Sequence, residues 1–137
     1  MTKNEKLFMK ECDDEIQKLW KPKVGDVIYD KNYDEIGSVY AINEIDKDCK
    51  ILNVSWLDES GLSDFTPDEN TIWLPSLSQI IKEIENCKKV NSWFQGAYPN
   101  KKNYWMEIRG ECGSLETIGE TPELSAIKAL KVLKEKK

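Results

Sequence analysis

The chain has 137 residues, of which 33% are charged and 39% hydrophobic, with a formal net charge of −5; a chain of this size buries roughly two-thirds of its unfolded surface and folds without a disulfide or metal staple. No apolar run approaches the roughly 18 residues of a membrane-spanning helix, and the opening MTKNEKLFMKECDDE is too acidic and polar for a signal or transit peptide, so a cytoplasmic protein is expected. There is no histidine, which excludes Ser-His and Cys-His dyads, an imidazole base and histidine metal ligands.

The charge is unevenly spread. Residues 1–70 carry 9 lysines against 17 acids, a balance of −8, and residues 71–137 carry 10 lysines and Arg109 against 8 acids, a balance of +3. The first half repels polyanions and the second tolerates them. The cysteines, Cys12, Cys49, Cys87 and Cys112, are far apart with no C-x-x-C spacing; they read as reduced, mostly buried thiols, and neither a metal nor a cofactor is expected.

In chain order, Phe8, Cys12, Ile16 and Leu19/Trp20 recur about every four residues, which predicts a helix over 3–20 opened by Thr2 and Glu5 in capping-box register and closed before Pro22. That helix is either core or a partner-binding or oligomerising element. KVGDVIYD, EIGSVYAINEI, KILNVSWLD and TIWLP then predict short strands with Gly25 and Gly37 at bends, the last following a polar loop, ESGLSDFTPDEN. Short strands with tight connections in about 50 residues predict a small SH3-like β-barrel or bent meander over 22–75. SLSQIIKEIENC opens with Ser76 and Gln79 in capping-box register and spaces Leu77, Ile80, Ile81, Ile84 and Cys87 as an amphipathic helix. VNSWFQGAY and NYWMEIRGEC alternate around YPNKKN as a hairpin, SLETIGE supplies a third strand, and Thr121 and Pro122 open a last helix bearing Leu124, Ile127, Leu130 and Leu133. The expected fold class is α+β: an N-terminal helix (1–21), the barrel or meander (22–75) and an α-β-β-β-α unit (76–137), packed into one body.

The order KLWKPKVGDVIYD, IWLPSLSQIIKEIE and GETPELSAIKALKVL resembles small uncharacterised proteins encoded by phages and prophages of Gram-positive bacteria. The resemblance covers roughly residues 16–135 and implies an accessory phage protein acting on a host system; it carries over no catalytic residue. The α-β-β-β-α order also resembles double-stranded-RNA-binding domains, whose second helix begins with lysines aimed at phosphates. Here that helix begins Thr121-Pro122-Glu123, and Lys128, Lys131, Lys134, Lys136 and Lys137 lie in its middle and at its end.

Two candidate surfaces follow. In NYWMEIRGEC, alternation puts Tyr104, Met106 and Ile108 on one face and Trp105, Glu107, Arg109 and Glu111 on the other. If Trp93 shares the outer face, two indoles flank the chain's single guanidinium, with Lys101 and Lys102 extending the positive patch, a surface able to stack a base or hold an anion. The alternative is that Trp93 and Trp105 cover the barrel while Arg109 pairs with Glu107 or Glu111. The second surface is acidic: Asp58, Glu59, Asp64, Asp68 and Glu69 lack the order of a calcium loop and form either a solvated loop or a patch for a basic partner. The expected function is that of a non-enzymatic phage-encoded binding protein that inhibits a host defence component, by docking on a protein or sequestering a nucleotide. A nucleic-acid-binding regulator using the basic half is the alternative.

Overall fold

A computed structural model describes residues 2–48, 51–111 and 113–135. Cys49, Cys112, Lys136 and Lys137, named above, lie outside them. The fold is α+β, and the described residues form four helices and two antiparallel sheets, in two compact units.

One unit joins the residues up to Ile16 to those from Ser76 onward. Its first helix, α1 (Lys3–Glu11), is capped by Thr2, whose hydroxyl accepts from the Glu5 amide at 3.1 Å. The predicted single helix over 3–20 is broken. Cys12 leaves the helix at φ −82° and ψ 62°, and the Asp13 carboxylate accepts from the Glu15 and Ile16 amides, opening a separate short helix, α2 (Asp14–Gln17). Asp13 thus acts as a cap rather than as a helix-interior residue.

Helix α3 (Leu77–Glu85) forms as expected, with Ser76 and Gln79 completing the reciprocal capping box and Ile80 and Ile84 fully buried. Strands β6 (Val90–Ala97), β7 (Tyr104–Gly110) and β8 (Gly113–Gly119) make a three-stranded sheet in that order. Helix α4 (Pro122–Glu135) starts at Pro122, with the Thr121 hydroxyl accepting from the Leu124 amide. It packs on β7, β8 and α3, burying Leu124, Ala126, Ile127, Ala129 and Leu130. Helix α1 packs on α4, where the Lys131 ammonium lies 3.5 Å from Glu11 and 3.3 Å from Asp13.

The other unit, Gln17–Pro75, holds a five-stranded sheet. Strands β1 (Val27–Asp30), β2 (Glu35–Ile45), β3 (Ile51–Asp58) and β4 (Gly61–Phe65) run as a meander, and β5 (Thr71–Leu74) returns to pair with β1. The order β4-β3-β2-β1-β5 leaves β4 and β5 as edges, so the sheet is an open meander and not a closed barrel. Strand β4 corrects the expectation of a polar loop. Gly61, at φ +108°, and the Asp58 carboxylate, which accepts from the Ser60 amide at 2.8 Å, turn the chain back, and Phe65 meets Trp56 edge-on at 4.7 Å. An edge strand whose residues stay exposed or half-buried needs few apolar residues, which is why ESGLSDF reads as loop.

Ile28, Val39, Val54 and Trp56 form the core of this unit, with Trp20, Ile42 and Phe65 against it. The Gln17 side chain exchanges two hydrogen bonds with the Trp73 backbone, and the Trp20 indole donates to Asp26 at 2.9 Å while stacking on Trp73. These polar clamps satisfy buried groups and fix the chain entering β1.

Candidate docking surfaces

In the three-stranded sheet, β6 pairs with β7 so that Trp93 faces Ile108, Phe94 faces Glu107 and Gly96 faces Trp105. Directly opposed residues share a face. Trp93 therefore lies with Met106 and Ile108 on the side carrying the buried core, and Phe94 takes the outer place proposed for it. The pairing of Ala97 with Tyr104 at the turn, unbroken as far as Ser92 and Arg109, sets this parity.

On the outer face the Arg109 guanidinium lies 5.0 Å from the Phe94 ring centroid, and its Nε donates to Glu107 at 3.2 Å. The Arg109 side chain is 59% exposed and is engaged by a ring and a carboxylate of its own sheet. The Trp105 indole lies across Gly96, where a Cβ would meet it at 2.6 Å. Lys101 is 5.9 Å from the Tyr98 ring centroid at the hairpin turn, the opposite end of β7 from Arg109, and Lys102 is exposed in the same turn. Tyr98 donates to Glu116 at 3.2 Å; partial burial first, and then that carboxylate, raise its phenol pKa. The five residues named as a ligand site do not converge: Arg109 and Trp105 share a face, Trp93 is on the other, and the two lysines sit at the turn.

The acidic residues also disperse. Asp58 ends β3 and Glu59 is in the turn after it, Asp64 is in β4, and Asp68 and Glu69 precede β5. The Asp68 carboxylate accepts from the Asn70 amide at 2.8 Å, an internal turn bond.

The strand registers of the five-stranded sheet show a surface that the sequence reading did not single out. Leu74, Val27, Ser38, Leu57 and Leu62 are successive cross-strand partners, so they form one row across all five strands on the face opposite Ile28, Val39 and Trp56. Leu57 and Leu62 are 44% and 58% exposed. Ile72, Tyr29 and Ile36 form the next row. A polar margin adjoins Leu57: Ser55 hydrogen-bonds Asn43, Asn43 donates to Asn53, and Asp64 opposes Ser55. An apolar centre with a polar, acidic margin is the composition of a protein-binding patch. The available signal was VIYD and EIGSVY, where apolar residues occupy both parities; a strand apolar on one face only would alternate.

At one end of the opposite face, Asp30 and Glu35 are register partners. The Asp58 carboxyl, first as a hydrogen-bonding neighbour and then through its charge, holds the Glu35 pKa above the ordinary carboxylate value. Asp30 is fully buried; its Oδ1 accepts from the Asn32 amide at 3.0 Å.

Cys12 is buried, and burial first, then the charges of Asp13 and Glu11, push its thiol up to about 12; Cys87 is half-buried. Among the described residues no cluster of acids and cysteines is arranged to hold a metal ion. In the unit containing α3 and α4, three clefts of about 110, 250 and 260 Å³ fall below the roughly 300 Å³ of a small-molecule site. No helix among the described residues is long and apolar enough to cross a membrane. Comparison with protein families, curated proteins and solved structures gave no match.

Proposed function

We propose that the chain is a non-enzymatic binding protein that docks on a protein partner through the apolar outer row of its five-stranded sheet. The observation that carries this reading is the register-aligned row Leu74, Val27, Ser38, Leu57 and Leu62, with Leu57 and Leu62 exposed at its β3–β4 end. The partner's matching surface is apolar at its centre and basic at its margin, to complement Asp64 and the −8 balance of residues 1–70. A meander whose fifth strand pairs with the first supports an SH3-like reading of this sheet. The resemblance of the chain to phage and prophage accessory proteins supplies the context: a bacterial host protein, in the host cytoplasm, as the target that is inhibited.

Nucleotide capture is less well supported, because Arg109 is already held by Phe94 and Glu107. Nucleic-acid binding by the basic half is disfavoured in the same way: Lys131 is paired with Glu11 and Asp13, and Lys128 donates to the Ile118 carbonyl at 3.0 Å.

The test is capture of partners from host lysate by the wild-type chain and by Leu57→Lys/Leu62→Lys, both exposed positions, with sedimentation of each protein alone. Loss of a specific polypeptide from the variant, with an unchanged melting temperature, is expected. Equal capture by both proteins contradicts the reading, and a wild-type dimer that the variant turns into a monomer replaces the foreign partner with a second copy of the chain.

A further inference from the structure

We propose that the open edge of β4 takes an extended basic segment of the docked partner as a sixth strand of the sheet, an inference that rests on the docking reading above. An edge strand presents a line of unpaired amides and carbonyls, which proteins cover, bulge or charge to keep other chains away. The two edges of this sheet, β5 and β4, are treated differently. At β5 the Gln17 side chain takes the place of a neighbouring strand: its Oε1 accepts from the Trp73 amide at 2.7 Å, and its Nε2 donates to the Trp73 carbonyl at 2.9 Å. At β4, among the described residues, no backbone group from Gly61 to Phe65 bonds to anything but β3. Leu62, Ser63 and Asp64 are exposed, the register with β3 is unbroken from Gly61 to Phe65, and the strand holds neither lysine nor proline. Such a straight, uncovered edge is the template for strand addition, in which main-chain bonds give affinity and alternate side chains give specificity.

Charge selects the occupant. Residues 51–81 contain Asp58, Glu59, Asp64, Asp68 and Glu69 and no lysine or arginine. Among the described residues Asp64 meets the Ser55 hydroxyl, at 3.5 Å, and no cation. Edge-to-edge pairing with the β4 of a second copy sets two hairpins side by side, each bearing Asp58, Glu59 and Asp64 without a cation, and opposed like charges destabilise a ladder. A basic strand is stabilised by the same acids. Leu62 and Asp64, two residues apart, share the outer face, so the matching segment has an apolar residue and, two positions along, a lysine or arginine.

The probe is a blocked hexapeptide, Thr-Val-Thr-Lys-Thr-Lys, titrated into the isotopically labelled full chain and followed by nuclear magnetic resonance. Saturable shifts of the Leu62, Ser63 and Asp64 amides are expected, with affinity at least about fivefold weaker when glutamates replace the lysines. Asp64→Lys, at an exposed position, reverses that preference. Of two N-methylated forms of the peptide, each blocking the amides along one of its edges, one loses binding and the other keeps it, because only one edge faces β4. No saturable response at β4, equal behaviour of the two methylated forms, or a preference unmoved by Asp64→Lys would each overturn the assignment, as would a chain that sediments as a dimer with its β4 amides already protected from exchange. Failure of edge pairing alone leaves partner capture still lost in Leu57→Lys/Leu62→Lys; failure of the docking reading alone leaves capture equal while β4 still responds to the peptide.

Discussion

The most tightly constrained backbone position in the five-stranded sheet is Gly37. A Cβ there would fall 1.5 Å from the Trp56 indole nitrogen, and Trp56 is 3% exposed within the core, so the ring has nowhere to retreat. Gly37→Ala is expected to cost about 1–3 kcal/mol and to alter the near-ultraviolet dichroism of the tryptophans; denaturant unfolding within experimental error of wild type contradicts this packing. Because the raised pKa of Glu35 reflects the hydrogen-bonding Asp58 carboxyl first and then the nearby Glu59 and Asp30 charges, the folded state prefers the protonated carboxyl, and this contribution is lost as pH rises through the raised value. Glu35→Gln therefore raises the melting temperature at pH 7, and the gain shrinks toward pH 4; an equal gain at both pH values shows that the carboxyl pair is not the cause. Cys12, held near 12 by burial and two neighbouring acids, is thiolate only in trace amounts at pH 8. It is expected to resist alkylation in the native chain and to react on denaturation, as read by peptide mass mapping; rapid native labelling rules out its burial.

At the scale of elements, the capping box of α3 makes a local claim. The Ser76 hydroxyl accepts from the Gln79 amide, and the Gln79 side chain accepts from the Ser76 amide. Ser76→Ala is expected to cost about 1 kcal/mol, while Ser76→Asp, which keeps an acceptor at the cap, retains most of the stability; equal loss in both variants points to packing rather than capping. Elements bounded by such local chemistry were legible in the sequence: α3 from Ser76 and Gln79, α4 from Thr121 and Pro122, and the β6–β7 hairpin from its alternation. Where tertiary pairing decides, the string was silent. Asp13 breaks the first helix by capping a new turn, although Cys12 and Ile16 keep a helical spacing. Strand β4 exists because the turn at Gly61 lays a polar segment along β3. Trp93 faces the core because the hairpin pairs Ala97 with Tyr104 and runs unbroken to Trp93 and Ile108, and no count along the chain fixes the register across a six-residue turn.

For the whole molecule, the sequence made a conspicuous string of NYWMEIRGEC, and its alternation did split core from surface. The structure engages Arg109 within its own sheet and moves the strongest docking surface to a row that no single strand announces. That row becomes visible only when the four registers of the sheet are aligned, since Leu74, Val27, Leu57 and Leu62 come from four different strands and the strand of Leu62 is otherwise polar but for Phe65. Its acidic margin keeps the expectation of a basic partner, now centred on Asp64 rather than on a loop. The most direct test of the docking claim is hydroxyl-radical footprinting of the chain alone and bound to the partner it captures. Protection of Val27, Leu57 and Leu62, with Phe94 and Ile118 labelled as before, is the predicted result; protection confined to Phe94, Trp105 and Ile118 would place the interface on the three-stranded sheet and contradict the account.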